Sequence, residues 1–410
     1  MSTSRPSTLL TLDEALARLL SAVQPLAGSE TVSTFDALGR VLAADLSSLV
    51  DVPTADNSAM DGYALRSADV TAPGTVLPVS QRIPAGMVGT ALQPGTAARI
   101  FTGALVPEGA DAVVMQEQCE ALDGAVRVNA VPKPGQSIRR RGEDLSRDAI
   151  ALPRGTRLTP QALGLAATAG AARLVVARRP RVALFSTGDE LAMPGEALKP
   201  GAIYNSNRFT LRALIQSLGC ECTDFGIVPD QLAATREALR RAAQGHDVIV
   251  TSGGVSVGEE DHLRPAVQAE GALDLWQIAI KPGKPLAFGS VRKAEGGNAW
   301  FVGLPGNPVS SFITFLLAVR PLLLHLQGAT ALQPQGVSLR ADFDWSRVDN
   351  RREFLRVRRN AQGGLDLFSN QGSGVLTSTV WADGLVDNPP QTPIRAGDSV
   401  RFIALAEWVA

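Results

Sequence analysis

Three glycine-containing loops that also carry hydroxyl groups are the segments best suited to chemistry. They comprise residues 186–190, 251–256 and 305–311, and each follows a short apolar run. Glycines let backbone N–H groups approach an anion, hydroxyls add donors, and a following helix adds the positive end of its dipole. One such loop is often only a turn, but three loops at one sheet edge predict an anion-binding site. The candidate ligand-binding residues in these loops are Thr187, Gly188, Ser252, Gly253, Gly254, Ser256, Pro305, Gly306, Asn307, Pro308 and Ser310.

Charged residues accompany the loops. Glu190 ends the first loop, and Asp261 ends the acidic run 259–261 that follows the second. Carboxylates next to a phosphate cradle would repel the phosphate unless a divalent cation such as Mg²⁺ intervened. Lys281 and Lys284 lie on a Pro/Gly-rich segment and suit a phosphate or another oxyanion. Solvated surface turns remain the alternative for both groups.

The segment 56–64 carries two carboxylates, an amide and a hydroxyl within six positions. These groups could bind a metal or orient a hydroxyl, but a capped turn explains them equally well. The basic run 139–141 ends in acidic residues and is typical of a solvated stretch. We find no nucleophile elbow, Walker A motif or dinucleotide-binding fingerprint. Chemistry by positioning and electrostatics on a bound anion is therefore expected.

The elements that must position these residues divide the chain into four regions. Residues 179–327 alternate strand and helix, which predicts a central, doubly wound, mostly parallel α/β domain. Residues 1–53 and 146–178 are predicted to form a helical N-terminal domain, interrupted by a β-rich insertion at 54–145. Residues 328–410 read as alternating strands and predict a β-barrel. The fold class is thus a multidomain α/β protein with β-rich domains.

Composition narrows the classes of function. The formal net charge is −1, so there is no global field for nucleic acid or an anionic membrane. The three cysteines do not suggest a disulfide framework or a zinc site. Acidic residues in the first apolar stretch exclude a signal-peptide core. The apolar segment 312–326 contains Arg320 and Pro321, which we interpret as an interruption that leaves it too short to span a bilayer. A soluble, cytoplasmic protein is expected.

Several long segments resemble the signatures of MoeA-type proteins, a family that includes the gephyrin E domain. They occur in the family's order along nearly the whole chain, at residues 56–64, 100–104, 107–111, 140–144, 186–191, 252–258, 281–285 and 303–310. The resemblance implies a four-domain homodimer whose active site lies between the MogA-like α/β domain of one subunit and the inserted domain of its partner. It also implies insertion of molybdate into adenylated molybdopterin, with release of AMP and assistance by Mg²⁺. Small departures, such as Ala55 and His262, remove no group that this reaction needs.

The resemblance also implies residue roles. Catalytic positions are Asp61, Thr102, Asp144, Glu190, Asp230 and Asp261, with Asp261 and Glu190 as the metal-linked pair. Oxyanion-binding positions are Lys281, Lys284, Pro305, Pro308 and Ser310, joined by Arg356 and Ser373 from the C-terminal domain. Transient contact with a MogA-type adenylyltransferase and with cofactor acceptors is expected.

Two other functions remain open. The α/β domain alone resembles MogA-type adenylyltransferases, although those are single-domain proteins. A non-catalytic scaffold that binds pterin or a protein is the other alternative, although it would not need the acidic and lysine positions. Tungstate and molybdate have similar size and charge, so the sequence does not separate them.

Overall fold

The computed structural model describes residues 9–255 and 262–409. Helix α1 (Leu12–Ala22) begins at a capping box, in which the Thr11 and Glu14 side chains each accept from the other's backbone N–H. Its apolar face, including Leu16 and Leu19, joins the core of the α/β region. Strands β1 (Ser29–Ser33) and β2 (Leu46–Ser47) follow. The N-terminal region contains less helix than predicted. Val41 pairs with Arg157 and Leu42 with Val176 through isolated β-bridges, so this stretch is extended.

The inserted region is built from short strands. They are β3 (Asn57–Ser58), β4 (Gly62–Leu65), β5 (Thr75–Ile83), β6 (Ala97–Ile100), β7 (Ala112–Met115), β8 (Cys119–Leu122), β9 (Ala125–Val128) and β10 (Ile138–Arg139). Six of them form one sheet in the order β7-β4-β6-β5-β9-β8, and β3 pairs with β10. Two apolar clusters lie within this region, so the insertion has a core of its own.

The chain then returns to the N-terminal region. Strand β11 (Ile150–Leu152) pairs with β2, helix α2 (Pro160–Thr168) follows, and β12 (Arg173–Ala177) pairs with β1. Helix α2 has Thr159 as its N-cap and Pro160 in its first turn, as expected from the missing N–H of proline. Side chains from both sides of the insertion share one apolar cluster.

The α/β region carries the sheet that positions the three loops. Its elements are β13 (Arg181–Thr187), β14 (Leu191–Ala192), β15 (Ile203–Tyr204), α3 (Ser206–Ser217), β16 (Glu221–Val228), α4 (Leu232–Ala243), β17 (Val248–Ser252), α5 (Leu263–Glu270), β18 (Gly271–Gln277), β19 (Ile280–Lys281), β20 (Pro285–Arg292) and β21 (Asn298–Leu304). The strand order is β16-β13-β17-β21-β20-β18. The first four strands pair in parallel, and β20 pairs antiparallel with both β21 and β18, so only β20 is reversed. The predicted mostly parallel sheet is confirmed.

An apolar helical run follows the third loop. It comprises α6 (Pro308–Thr314), a wider π-type turn at Phe315–Val319, and α7 (Arg320–Leu326). The predicted interruption at Arg320 and Pro321 was wrong, because Pro321 stands in the first turn of α7, where its N–H is not needed. By length and composition the run Pro308–Leu326 could cross a membrane, but 89% of it is buried within the protein, as in a core helix.

The C-terminal region forms the expected barrel. Its elements are β22 (Val337–Ala341), β23 (Arg352–Arg359), β24 (Gly364–Leu367), α8 (Thr377–Trp381), β25 (Gly384–Asn388), β26 (Ser399–Ala404) and α9 (Leu405–Val409). The pairings run β23-β24-β22-β26-β25 and close through β25 and β23. Strand β19 of the α/β region pairs in parallel with β23, which fixes the barrel against the edge that holds the loops.

Candidate functional site

A cavity of about 750 Å³ opens at the carboxyl ends of β13, β17 and β21. All three glycine-containing loops line it, as the topology of an open α/β sheet predicts. Its other walls come from the start of α3, the segment 281–285, and the barrel segments around residues 351 and 371–373. The cavity therefore lies between the α/β sheet and the C-terminal barrel.

Backbone geometry brings the first two loops together. Gly253 has φ +89°, and a Cβ there would lie 2.5 Å from the Thr187 carbonyl oxygen. Only glycine allows this approach without strain. The Ser186 and Ser252 hydroxyls hydrogen-bond at 3.1 Å between the adjacent strands. The first and second glycine-containing loops are thereby held in contact.

The third loop is held from two sides. The side-chain amide of Asn207, on α3, donates to the Gly306 carbonyl at 2.8 Å. On the other side, the backbone N–H of Val309 donates to the Ser373 carbonyl at 2.9 Å. Ser310, 4% exposed, lies between these contacts and lines the cavity. The loop is therefore positioned by both the α/β region and the barrel.

The two predicted lysines differ in their surroundings. The Lys281 ammonium lies 3.0 Å from Glu353 Oε1 and 3.4 Å from Asp349 Oδ2, so its charge is offset by two carboxylates. Lys284 is exposed and forms no ion pair within the described part of the chain. Of the two, Lys284 is the cation free to meet an incoming oxyanion.

Two carboxylates, Glu190 and Asp230, line the cavity. The backbone N–H of Asp230 donates to Asp189 Oδ1 at 3.2 Å. This bond joins the first loop to the turn that precedes α4. No group of three His, Cys, Asp or Glu side chains suited to a metal occurs among residues 9–255 and 262–409. Two carboxylates that border a cavity suit Mg²⁺, because phosphate oxygens and water can fill the rest of its coordination shell.

Arg356, a predicted oxyanion-binding residue, does not line the cavity. It is 1% exposed, and it donates to the Ser378 hydroxyl and to the carbonyls of Phe354 and Gly372 at 3.1–3.3 Å. Burial lowers the pKa of Arg356 to about 10, so it remains charged at neutral pH. The guanidinium therefore supports the segment that carries Gly372 and Ser373 from behind the cavity wall.

The predicted residues of the inserted region lie apart from this cavity. Asp61 Oδ1 accepts from both the backbone N–H and the hydroxyl of Thr102, each at 2.7 Å. These bonds, led by the backbone one, lower the pKa of the Asp61 carboxyl below its ordinary value. Asp144 is exposed, and none of the three lines the cavity of the same chain.

The structure thus brings most predicted site residues to one cavity. Those that line it are Thr187, Gly188, Glu190, Asp230, Ser252, Gly253, Gly254, Lys281, Lys284, Pro305, Gly306, Asn307, Pro308, Ser310 and Ser373. Ser256 and Asp261 lie outside the described residues.

Sequence reasoning missed four polar residues of the lining: Asn205, Asn207, Arg351 and Gln371. The first two open helix α3, and their helix-capping residue types were a usable signal. Arg351 and Gln371 come from the barrel, and no local pattern relates them to the α/β edge.

Three family models match successive parts of the chain. Residues 10–170 match the MoeA N-terminal region (domains I and II), and residues 183–325 match a probable molybdopterin-binding domain. Residues 338–405 match the MoeA C-terminal region (domain IV). The chain belongs to the MoeA family.

Individual relatives match this chain over most of their length. The chain is 40% identical to a molybdopterin molybdenumtransferase of Haemophilus influenzae, covering 96% of this chain and 98% of that protein. It is 39% identical to a Nostoc protein of the same name, covering 92% of this chain and 89% of that protein. Among solved structures, the molybdopterin biosynthesis moeA protein of Pyrococcus horikoshii superposes with a TM-score of 0.82 at 28% identity, covering 97% of this chain and 100% of that chain.

Proposed function

We propose that this protein inserts molybdate into adenylated molybdopterin and releases AMP, as a molybdopterin molybdenumtransferase. The observation that carries the proposal is the cavity itself, in which the three glycine-containing loops, Lys284 and two carboxylates converge. Relatives with this name cover nearly the whole chain, which supports the same class of reaction.

The residues of the cavity suggest a division of labour. Molybdate, as substrate, would be held by Lys284, Ser310 and nearby backbone N–H groups. The phosphates of the adenylated pterin would lie toward Glu190 and Asp230. Bound Mg²⁺ would offset phosphate charge in the transition state, and Glu190 is the described carboxylate that we expect to hold it, with Asp261 as the second. Among the described residues, the positioned donors and acceptors provide catalysis by orientation and electrostatics.

We further propose a homodimer in which Asp61, Thr102 and Asp144 of one copy face the cavity of the other. Two observations support it. These residues do not line the cavity of their own chain. The N-terminal region also exposes large apolar side chains, with Phe35 94%, Leu38 59% and Leu49 58% exposed, as expected of a surface that a partner covers.

The cellular setting follows from this reaction. Adenylated molybdopterin is the product of MogA-type adenylyltransferases, so transient contact with such an enzyme and with cofactor acceptors is expected. The balanced charge gives no reason to expect nucleic acid or an anionic membrane as a partner. We expect the protein to act in the cytoplasm.

The test of the reaction is AMP release from adenylated molybdopterin by the purified protein with Mg²⁺, with and without molybdate. Release that depends on molybdate is the expected result. Tight pterin binding without release would support a scaffold instead, and no binding would reject both. Lys284→Gln should raise the KM for molybdate at least about tenfold, because a charge-assisted hydrogen bond is lost. Lys293→Gln removes the same charge beyond the far end of β20 and should leave the KM unchanged.

The test of the shared site uses two inactive variants. Asp61→Ala and Glu190→Ala subunits, mixed as verified heterodimers, should recover activity because one intact composite site forms. No recovery would reject the composite site while leaving the reaction itself untouched.

A further inference from the structure

Two buried polar groups in the cavity wall have no hydrogen-bond partner among the described residues: Asn205 Nδ2 and Thr187 Oγ1. Asn205 is 2% exposed and Thr187 is 5% exposed, and both line the cavity. Buried polar groups are rarely left unpaired in native proteins, so such an atom beside a cavity points to a ligand. The reaction roles described above use neither the Asn205 amide nor the Thr187 hydroxyl in a specific contact.

The orientation of the Asn205 amide is fixed by its other contacts. Its Oδ1 accepts from the backbone N–H of Arg208 at 3.1 Å and caps helix α3. Its own backbone N–H donates to the Ala192 carbonyl at 2.9 Å. Exchange of the amide oxygen and nitrogen would break the cap, so the free group at this position is a donor.

The start of α3 adds further donors. The helix has 12 residues, and the backbone N–H groups of Ser206 and Asn207 lie in its first turn, where no intrahelical acceptor is available to them. Asn207 also lines the cavity, and its bond to the Gly306 carbonyl fixes the start of the helix against the third loop. The helix dipole places partial positive charge here. An amide, a hydroxyl and a helix N-terminus together favour an anionic oxygen.

We propose that Asn205, Thr187 and the N-terminus of α3 form a phosphate subsite, distinct from the oxyanion position at Lys284 and Ser310. The ligand class is a phosphate ester or anhydride, and its identity as the phosphates of the adenylated pterin rests on the proposed function. Phosphate is favoured over molybdate because a carboxylate adjoins this subsite. Glu190 lies three residues after Thr187, and its backbone carbonyl accepts from Ile203, two residues before Asn205. Phosphate oxygens and a carboxylate can share a divalent cation. Lys284, in contrast, can attract a free oxyanion directly.

The variant Asn205→Asp tests the subsite. Aspartate keeps the acceptor that caps α3, and it replaces the donor with an anionic oxygen of the same size. The dissociation constants of AMP and of inorganic pyrophosphate, measured by calorimetry with Mg²⁺, should rise at least about tenfold. The dissociation constant of molybdate should change less than about twofold. Asn205→Ser retains a capping hydroxyl without the added charge and should weaken AMP binding to a smaller extent.

The control is Asn298→Asp, which adds the same charge at the exposed start of β21 and should leave all three constants unchanged. If Asn205→Asp fails to fold, the Asn205→Ser result decides, with unchanged AMP binding overturning the proposal. Equal AMP and pyrophosphate binding by wild type and Asn205→Asp overturns the subsite, as does failure of the wild type to bind either probe. An equal loss of molybdate binding overturns the assignment to phosphate.

The subsite and the proposed function can fail separately. Weakened pyrophosphate binding in Asn205→Asp, in a protein that never releases AMP, would keep the subsite and reject the transferase. Molybdate-dependent AMP release by the wild type with no change in Asn205→Asp would do the reverse.

Discussion

Arg356→Lys separates a structural role for this buried arginine from direct binding of the oxyanion. Lysine keeps the positive charge, but its single ammonium cannot donate to the Ser378 hydroxyl and to the Phe354 and Gly372 carbonyls together. A buried acceptor left unpaired costs about 1–3 kcal/mol, and the Gly372 carbonyl can recover part of this by hydration because its residue borders the cavity. We therefore expect Arg356→Lys to lower the free energy of unfolding of the barrel by about 2–4 kcal/mol.

The assay is urea unfolding followed by tryptophan fluorescence, since Trp345 and Trp381 lie in the barrel region. The matched control is Arg358→Lys, two residues along β23 on an exposed side chain, which should change stability by less than about 0.5 kcal/mol. An Arg356→Lys protein that unfolded like the wild type while its KM for molybdate rose tenfold would contradict the structural role. That result would mean that the guanidinium reaches the oxyanion.

Three further outcomes follow from the contacts. Gly253→Ala should lower the free energy of unfolding by about 1–3 kcal/mol and the rate of AMP release at least about tenfold. The reason is that Gly253 has a positive φ and that an added Cβ would clash with the Thr187 carbonyl oxygen. Unchanged thermal unfolding and activity would contradict this. Asp247→Ala should cost about 1–3 kcal/mol in urea unfolding, because this 7%-exposed carboxylate accepts two hydrogen bonds at 2.8 Å from the Arg178 guanidinium, which is 33% exposed and can be hydrated. A cost below about 0.5 kcal/mol would count against it. The hydrogen bond from the neighbouring Arg351 side chain lowers the pKa of Asp349 below its ordinary value, so its contribution to stability is complete above about pH 4 and is lost as pH falls through the folded pKa. The stability difference between wild type and Asp349→Asn should thus stay constant from pH 7 to about pH 5 and shrink only in stronger acid, whereas shrinkage above pH 5 would contradict the shift.

Local sequence patterns were sufficient to predict the part of the site that the three glycine-containing loops form. The alternation of buried strands and capped helices in residues 179–327 predicts a parallel sheet, and the topology of such a sheet brings the ends of β13, β17 and β21 to one edge. Glycines with hydroxyl neighbours at those ends then predict an anion site. Each step depends on residues close in sequence or on a rule that holds for every open α/β sheet.

The barrel wall of the cavity could not be predicted in this way. Arg351 and Gln371 reach it because β19 pairs with β23 and because Val309 donates to the Ser373 carbonyl. Both contacts join residues far apart in sequence, and neither segment has a composition that marks a ligand. The burial of Arg356 away from the cavity could not be predicted for the same reason, since it depends on the closed barrel and not on the residues beside it.

The electrostatics of Asp61 limit what the inserted region can contribute. Its carboxyl accepts two hydrogen bonds from Thr102, which hold its pKa below the ordinary value, so it is ionised throughout the physiological range. A general base works best with a pKa near the working pH, and a preorganised, strongly ionised carboxylate is poorly matched to that task. It is well matched to a fixed negative charge that orients a donor or shares a cation. In the proposed dimer, Asp61 of the partner subunit would therefore add a fixed negative charge to the cavity.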